Sequence, residues 1–239
     1  MRESPEGAGV AFDRFHAEYD EALARGLSVS GESKQFFIRG RIAHLARCLR
    51  ERGHRPDRVL DFGCGTGDTT PFFLERLGVE RVVGVDVSER LLEVARREQG
   101  SERADFVALR EFAPRGDFPL VFCNGVFHHV PPVERPGLVK LLRDCLAPGG
   151  CFALWDNNPW NPGARYVMWR IPFDRDTVKL SARGARRLLE AGGLEVLRVD
   201  HLFVFPHLLR ALRFLERRLV RAPLGAQYQV LSRKPAESG

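Results

Sequence analysis

The stretch VLDFGCGTGD, residues 59–68, decides how the chain is organised. VLDF predicts a buried strand, which runs directly into a loop with glycines at positions 63, 65 and 67 before a predicted helix. Glycines allow a tight turn and let a ligand lie against bare backbone at a helix N-terminus. The stretch therefore predicts a strand, a ligand-binding loop and a helix, in that order.

The segments after this loop repeat the alternation of strand and helix. The sequence predicts strands at 81–87, 104–109, 119–124 and 151–155, and helices at 69–77, 89–98 and 134–147. Strands that alternate with helices favour a parallel, doubly wound α/β sheet. Later segments predict a helix at 181–189 capped by Ser181, a strand at 194–205, a helix at 206–220 and a strand at 227–233.

The chain has 239 residues, which suits a single α/β domain in three parts. Residues 1–52 carry two predicted helices with apolar residues at helical spacing. Residues 58–156 are the predicted ligand-binding core. Residues 157–239 contribute an irregular segment, 157–180, and the last strands. Long irregular segments in compact domains are usually functional.

The composition restricts the class of protein. Hydrophobic residues make up 44% of the chain and charged residues 28%. The start is polar and no run of about 18 apolar residues occurs, so we expect neither a signal peptide nor a membrane span. Five cysteines without a CxxC pair predict reduced core residues and a cytoplasmic location. The net charge of +6 comes mostly from arginines interspersed with glutamates, which favours a solvated surface over nucleic-acid binding.

Two acidic residues beside the glycines indicate which ligand the loop binds. Asp61 lies at the end of the predicted strand, and Asp68 directly follows the third glycine. Carboxylates there would repel the pyrophosphate of a dinucleotide and attract a ligand with an ammonium group. The third glycine also comes one residue too early for the dinucleotide pattern GxGxxG. S-adenosylmethionine, which carries an ammonium group and no phosphate, fits these charges.

A third acid follows the next predicted strand. Asp86 lies about 20 residues after the loop, the offset at which a carboxylate binds the ribose of an adenosine cofactor. It indicates an adenosine-containing ligand of either class, while Asp61 and Asp68 favour S-adenosylmethionine over NAD.

Four stretches make the sequence resemble the class I S-adenosylmethionine-dependent methyltransferases, in the branch of ubiquinone/menaquinone-biosynthesis-like and natural-product enzymes. They are VLDFGCGTGD (59–68), GVDVS (84–88), CNGVFHHV (123–130) and LAPGG (146–150). The resemblance implies a Rossmann-like, mostly parallel seven-stranded sheet with helices on both faces, an N-terminal helical lid and an antiparallel last strand. The residues that it implies for binding S-adenosyl-L-methionine are Asp61, Phe62, Gly63, Cys64, Gly65, Asp86, Val87, Asn124 and Gly125. Near the expected adenine, where the family often has an acidic or small polar residue, this chain has Arg110 and Glu111.

Two adjacent histidines, His128 and His129, end the stretch that contains the fourth predicted strand. We expect them to point in opposite directions, with one facing the cleft at the carboxyl end of the sheet. Histidine titrates near neutral pH and can remove an acceptor's proton, and Asp156 at the tip of the fifth strand could orient it. We predict that these three residues are the catalytic acid–base group; a structural role for either histidine is the alternative. The sequence offers no third ligand at useful spacing, so we expect no metal.

The letters NNPW (157–160) look like the [DN]PP[YFW] loop of enzymes that methylate amino groups of DNA bases or protein glutamine. That loop follows the fourth strand and has two prolines, whereas NNPW follows the fifth and has one. We therefore interpret it as a wall of the acceptor pocket, with Asn157 and Trp160 as substrate-binding residues. Tyr19 is the third predicted substrate-binding residue, because the resemblance suggests that the N-terminal helices form a lid.

These observations predict transfer of a methyl group from S-adenosylmethionine to a small molecule, foremost to a hydroxyl, in secondary or lipid-related metabolism. The alternatives are N- or C-methylation, an RNA or protein methyltransferase, a non-catalytic S-adenosylmethionine-binding protein and a dehydrogenase. The basic amphipathic helix predicted at 206–220 packs on the sheet or, alternatively, contacts a membrane or a lipid-linked acceptor. The sequence indicates neither the acceptor nor the oligomeric state.

Overall fold

The computed structural model describes Gly26 and residues 30–171, 174–175 and 177–236. Seven strands form one sheet. They are β1 (Arg58–Phe62), β2 (Arg81–Asp86), β3 (Ala104–Ala108), β4 (Phe118–Asn124), β5 (Leu146–Asn157), β6 (Glu195–Leu202) and β7 (Gln227–Arg233). Their order is β3-β2-β1-β4-β5-β7-β6. The first five strands pair in parallel, and β7 is antiparallel to both β5 and β6. The predicted seven-stranded, mostly parallel sheet with an antiparallel last strand is confirmed.

Helices cover both faces of this sheet. They are α1 (Lys34–Arg50), α2 (Thr70–Phe72, continued by a π-helical turn at Phe73–Leu77), α3 (Glu89–Gln99), α4 (Arg135–Cys145), α5 (Pro162–Arg170), α6 (Ala182–Ala191) and α7 (Glu216–Leu219). Short 3₁₀ segments lie at Leu109–Glu111 and His207–Leu215. The hydroxyl groups of Ser33, Ser88 and Ser181 cap α1, α3 and α6 by accepting a backbone N–H of the first turn.

The apolar face of each helix is buried against one side of the sheet. On one side, Ile42 and Leu45 of α1 belong to the same cluster as Phe122 and Trp155 of the sheet. On the other side, the residues of α4 and α6 pack with Leu60 of β1. Buried aliphatic side chains of this kind each stabilise the fold by about 1.5–3 kcal/mol.

The order of the strands fixes where a ligand can bind. The chain builds β2 and β3 on one side of β1, then crosses back and adds β4 and β5 on the other side. The connections therefore leave the carboxyl ends of β1 and β4 in opposite directions and open a crevice between them. The glycine loop follows β1, and the stretch with the two histidines follows β4, so both lie at this crevice.

Three segments differ from the prediction. The helix expected at 134–147 ends at Cys145, because the backbone from Leu146 already pairs with β4 and makes β5 longer than expected. The segment 157–180, expected to be irregular, contains α5. Asn161 caps this helix by accepting the N–H of Ala164, and Pro162 occupies its first position.

The helix expected at 206–220 is mostly absent. Residues 207–215 form a 3₁₀ segment interrupted at Leu209, and α7 adds only four residues. No side chain of this segment is buried, and Leu208 is 91% exposed. Polar contacts hold it instead, since Arg213 donates to the carbonyl of Phe205 and pairs with Glu32. The expected packing of its leucines on the sheet is therefore wrong.

The predicted N-terminal lid, residues 1–52, stays a prediction, because most residues before Ser30, Tyr19 among them, lie outside the described residues. None of the helices in the described ranges is long and apolar enough to cross a bilayer.

Candidate active site

The glycine loop after β1 has the left-handed backbone that its sequence predicts. Gly63, Gly65 and Gly67 have φ angles of +76°, +53° and +75°, which side chains disfavour. A Cβ atom at Gly63 would lie 2.2 Å from Cγ2 of Val126. The N–H groups of Gly63 and Cys64 both donate to the carbonyl of Val85, at 2.7 and 3.1 Å, so the loop is tied to β2.

Asp86 holds the same loop from the other strand. Its Oδ2 accepts the N–H of Gly65 at 2.9 Å, and its Oδ1 accepts the N–H of Ser88 at 3.0 Å. Asp86 also lines a cavity beside the loop, where a carboxylate can accept hydrogen bonds from hydroxyl groups of a ligand.

Asp61 is a buried carboxylate at the carboxyl end of β1. Burial, with the nearby charge of Asp86, raises its pKa to about 7, and Arg41 opposes this rise. Its Oδ2 has no hydrogen-bond partner among the described residues. Buried polar atoms are nearly always paired, so this oxygen is suited to a cationic ligand.

Asp68 contributes less than the sequence suggested. Its Oδ2 lies 2.6 Å from Nζ of Lys34 and also accepts the hydroxyl of Thr66. Burial raises the pKa of Asp68, but the ammonium of Lys34 and these hydrogen bonds outweigh burial and leave the pKa below its usual range. Because Lys34 neutralises Asp68, the electrostatic selection against a pyrophosphate depends mainly on Asp61.

Two cavities meet at the glycine loop. The first, of about 170 Å³, lies between α1, the loop, the histidines and α5. The second, of about 160 Å³, lies between the loop, Asp86 and the apolar side chains of Leu91 and Leu109. Gly63, Gly65, Asn124, Gly125 and His129 line both cavities.

Every residue predicted to bind the cofactor lines one or both cavities. Asp61 and Cys64 line the first, Phe62, Asp86 and Val87 line the second, and Gly63, Gly65, Asn124 and Gly125 form the shared wall. Arg110 and Glu111, noted near the expected adenine, pair with each other outside these cavities, and Arg110 also pairs with Glu89.

The two histidines face the same cavity, so the expectation that they point in opposite directions is wrong. β4 ends at Asn124, and residues 127–129 form a turn, so neighbouring side chains need not alternate as in a strand. The two imidazole rings lie 4.1 Å apart between centroids. His128 is buried, whereas the His129 side chain keeps 18% of its surface exposed.

Two carboxylates flank the histidines. Nδ1–H of His128 donates to Oδ1 of Asp156 at 2.6 Å. Oδ1 of Asp174 lies 3.3 Å from Nε2 of His128 and 3.3 Å from Nε2 of His129. We call these four residues the histidine–aspartate cluster. The structure thus brings the predicted residues His128, His129 and Asp156 together and adds Asp174.

The carboxylates give the two histidines different acid–base properties. Burial lowers the pKa of His128, but Asp156 and Asp174 outweigh it and raise the pKa to about 10. The pKa of His129 falls below its usual value, because burial and the neighbouring His128 outweigh Asp174. His128 is therefore an imidazolium at neutral pH, and its role as a base stays a prediction that this charge disfavours.

The NNPW segment is largely a structural element. Nδ2 of Asn158 donates to the carbonyls of Pro223 and Gly225, at 3.1 and 2.8 Å, and its Oδ1 accepts the N–H of Trp160. Asn157 lines the first cavity. Trp160 is 77% exposed and lines neither cavity, so its contact with substrate stays a prediction.

The residues of the first cavity that sequence reasoning missed include Arg41, Asp174 and Gln227. Arg41 had a signal, because it lies between Ile38 and Ile42 on the apolar face of a predicted helix. Nε of Arg41 is buried and one terminal N–H donates to Oε1 of Gln227 at 3.0 Å. Asp174 and Gln227 lie far from the motifs in sequence and had no such signal.

Comparisons with known proteins agree with this geometry. A family model described as a methyltransferase domain matches residues 59–150. The trans-aconitate 2-methyltransferase of Variovorax paradoxus is 36% identical over 98 residues, which are 41% of this chain and 37% of that protein. The chain spans about half or less of the length of the curated relatives it matches.

Solved structures share the fold. An S-adenosylmethionine-dependent methyltransferase from Mesorhizobium loti superposes with a TM-score of 0.56 at 20% identity, over 74% of this chain and 90% of that one. Human N-acetylserotonin methyltransferase in complex with S-adenosylmethionine gives a TM-score of 0.65 at 13% identity, over 94% of this chain and 59% of that one. Residues 59–150, which contain the glycine loop, therefore match a methyltransferase domain, and the fold is that of S-adenosylmethionine-dependent methyltransferases of known structure.

Proposed function

We propose that this protein transfers a methyl group from S-adenosylmethionine to an oxygen atom of a small molecule. The observation that carries the proposal is the wall shared by the two cavities. On this wall the loop expected to hold the cofactor meets the histidine–aspartate cluster, so a methyl group and an acceptor oxygen would be brought side by side.

The residues of the first cavity fit the methionine part of the cofactor. Oδ2 of Asp61 would accept a hydrogen bond from the ammonium group, which would satisfy a buried oxygen that has no other described partner. Arg41 lines the same cavity and would attract the carboxylate. No atom lies within 4 Å of a Cβ built on Gly65, so the loop leaves open space where the ligand would lie.

The residues of the second cavity fit the adenosine part. The carboxylate of Asp86, which lines this cavity, would bind the ribose hydroxyls. Leu91, Leu109 and Val130 provide apolar surfaces on which a flat heterocycle can lie. When bound, S-adenosylmethionine supplies an electrophilic methyl group on a sulfonium sulfur.

The chain's own contribution is alignment and control of the acceptor oxygen. Holding two reactants in a near-attack geometry removes much of the entropic barrier. The histidine–aspartate cluster lines the first cavity, and its His129 also belongs to the wall shared with the cavity of Asp86. We infer that it binds and activates the oxygen that receives the methyl group.

The surroundings favour an acceptor with an apolar body and at least one oxygen. Phe37, Val167 and Ile171 line the first cavity beside Lys34 and Arg41. A neighbouring groove shares Phe37 and Val167 with it and is walled by Phe36, Phe203 and Phe205. Trans-aconitate, for which the relatives are named, is one acceptor to test; secondary and lipid-related metabolites are others.

The test is a pair of measurements on the purified chain. In calorimetry, we expect S-adenosylhomocysteine to bind and NAD not to bind; the reverse result would contradict the proposal. In a mass-shift assay with S-adenosylmethionine, we expect one or more small oxygen acceptors to gain a single methyl group.

Two variants test whether the histidine–aspartate cluster takes part in methyl transfer. We expect His129→Ala and Asp156→Asn to lower methyl transfer by about 100-fold or more while the affinity for S-adenosylhomocysteine changes less than threefold. His207→Asn is the matched control, since His207 is half-exposed and lies outside both cavities. Near wild-type turnover in both cluster variants would show that the cluster takes no part in the reaction.

A further inference from the structure

We propose that the histidine–aspartate cluster binds one divalent first-row transition-metal ion through Nε2 of His128, Nε2 of His129 and Oδ1 of Asp174. The proposal that the ion binds rests only on the geometry of these three ligand atoms. Its role, which is to hold the acceptor oxygen, rests on the proposed function.

The first argument is convergence of three ligand atoms. Both Nε2 atoms lie 3.3 Å from the same carboxylate oxygen, and all three atoms lie within 4.8 Å of one another. Ligands bound to one ion at about 2.0–2.2 Å are separated from their neighbours by about 2.8–3.6 Å in octahedral or tetrahedral geometry. The observed separations of 3.3 Å fall in that range.

The second argument compares the two nitrogens of one ring. Nδ1 of His128 lies 2.6 Å from Asp156, which is a short, charge-assisted hydrogen bond. Nε2 of the same ring lies 3.3 Å from Asp174, longer than the roughly 2.7–2.9 Å usual for a charged N–H to carboxylate bond. One side of the ring is thus tightly hydrogen-bonded, and the other has the spacing of two ligands around an ion.

The third argument is the carboxylate behind the ring. A histidine that binds a metal usually donates its other ring N–H to a carboxylate, which fixes the tautomer and orients the ring. Asp156 accepts this bond from His128, and its Oδ1 also accepts the backbone N–H of Asn157 at 2.7 Å. Asp156 would therefore act as a positioning residue for the metal ligand, and the ion would take the place of the proton that His128 otherwise carries on Nε2.

The site has an open side. His128, His129 and Asp174 all line the first cavity, so three protein ligands would leave further coordination positions facing the space for the acceptor. Sites with three protein ligands and an open position are typical of catalytic metals, whereas structural sites are closed. A hydroxyl or carboxylate oxygen is the ligand class expected there, and coordination would lower the pKa of a bound hydroxyl, whose proton would pass to water.

The donor set indicates the kind of ion. Two imidazoles and one carboxylate suit Mn²⁺, Fe²⁺, Co²⁺ and Zn²⁺, whereas Mg²⁺ and Ca²⁺ prefer oxygen ligands.

A second group, His44, Cys48 and Asp200, is a weaker candidate. Its members are also close together, but Nε2 of His44 hydrogen-bonds Asp200 at 2.8 Å. Guanidinium groups of Arg198 and Arg221 contact the Asp200 carboxylate, and Arg47 contacts Nδ1 of His44. These cations already neutralise the carboxylate, and the three residues line neither of the two cavities of the candidate site. We interpret this group as an ion-pair network.

The experiment measures Co²⁺ binding to the chelator-treated, purified chain by calorimetry and visible absorption. We expect one Co²⁺ per chain and d–d bands of a nitrogen- and oxygen-ligated ion. We expect His129→Ala and Asp174→Asn to weaken binding by about 100-fold or more, and Asp156→Asn by about 10- to 100-fold. Cys48→Ala, in the other group, is the matched control and should bind Co²⁺ within twofold of the wild type.

A separate control tests whether each variant is folded. Circular dichroism must show each variant folded, and Asp174→Glu, which keeps a carboxylate, should retain part of the affinity that Asp174→Asn loses. Equal Co²⁺ binding in the wild type and both ligand variants would overturn the assignment, as would loss of binding in Cys48→Ala. Absence of Co²⁺ and Mn²⁺ binding to the wild type would overturn it as well.

The same samples separate the two proposals. If S-adenosylhomocysteine binds and Co²⁺ does not, the metal site fails and the proposed function is unaffected. If Co²⁺ binds and S-adenosylhomocysteine does not, the metal site stands and the proposed function fails.

Discussion

The two cavities of the site are built in different ways. The second cavity comes from chain segments between Phe62 and Val130, and its floor is the backbone of the glycine loop. The first cavity combines side chains from α1, β1, β4, β5, α5, Asp174 and Gln227, which are spread over almost 200 residues of sequence. One half is therefore specified by local sequence patterns, and the other by long-range contacts. The family model matches the first kind of region and stops at residue 150.

The largest effect is expected in the locally specified half, at Gly63. A Cβ there would meet Val126 at 2.2 Å, and φ is +76°, so Gly63→Ala must displace Val126 and strain the backbone of the loop. We expect the affinity for S-adenosylhomocysteine, measured by calorimetry, to fall by more than about 100-fold.

Gly78→Ala is the matched control for this variant. Gly78 also has a positive φ, +69°, but no atom lies within 4 Å of a Cβ built on it. We expect it to lower the free energy of unfolding by about 1–2 kcal/mol and to leave the affinity unchanged. Equal losses of affinity in both variants would mean that backbone strain, and not the loop's position, decides binding.

Asp61→Asn should have the next largest effect, and the size of that effect depends on pH. In the free protein Asp61 has a pKa of about 7 instead of 3.8, so the carboxylate that attracts an ammonium group is mostly protonated below pH 7. We expect wild-type affinity for S-adenosylhomocysteine to rise with pH up to about 7 and then level off. The variant should bind about 10- to 100-fold more weakly at pH 8 and should lack this rise.

The same substitution should increase stability without ligand. Because the folded-state pKa is raised, the folded chain holds the Asp61 proton more tightly, and the stability that this provides is lost as the pH rises through about 7. At pH 8 Asp61→Asn removes a buried charge, so we expect a higher free energy of unfolding in denaturant titrations. A drop in stability at pH 8 would show that the carboxylate is well solvated or paired.

A smaller effect is expected in the long-range half, at Asn158. Asn158→Ala removes two buried hydrogen bonds to Pro223 and Gly225 and leaves both carbonyls to find new partners. We expect a loss of about 1–3 kcal/mol in the free energy of unfolding and a change of less than twofold in cofactor affinity. Loss of cofactor binding with unchanged stability would contradict the structural role of this asparagine.

The smallest effect is expected at Leu208. Its side chain is 91% exposed, so Leu208→Ser should change the free energy of unfolding by less than about 0.5 kcal/mol. Leu45→Ala, at a fully buried position, is the comparison and should lose about 2–5 kcal/mol. A large loss at Leu208 would contradict the exposed position of its side chain.

The sequence predicted mainly the features that local patterns specify and missed features that depend on long-range contacts. The strands, the glycine loop and the helix after it follow from hydrophobic period and glycine spacing, which act over a few residues. The seven-stranded sheet with its antiparallel last strand was inferred from the resemblance, and the order of its strands was not predicted. The positions of Asp61 and Asp86 follow as well, because the carboxyl ends of parallel strands meet at one edge. The neutralisation of Asp68 was not predicted, since its partner Lys34 lies on another element.

The histidines illustrate the limit most clearly. Their catalytic role was inferred from residue type, yet their shared orientation depends on where β4 ends, and the pKa of His128 depends on two distant aspartates. Asp174 lies 46 residues after His128 and has no motif around it. The NNPW letters were assigned to the acceptor pocket, whereas Asn158 mainly holds the segment before β7. Long-range hydrogen bonds of this kind leave no periodic trace in a sequence.

The place of β7 in the sheet also has a consequence for biosynthesis. Residues 227–233 insert between β5 and β6, which the ribosome makes much earlier, and β6 touches the rest of the sheet through β7. During translation one edge of β5 therefore stays unpaired until β7 is made, and Gln227 completes the lining of the first cavity only after the residues that precede it have been made. A nascent chain arrested before this point could already carry a folded glycine loop, yet it would expose the unpaired backbone edge of β5 to chaperones and neighbouring chains.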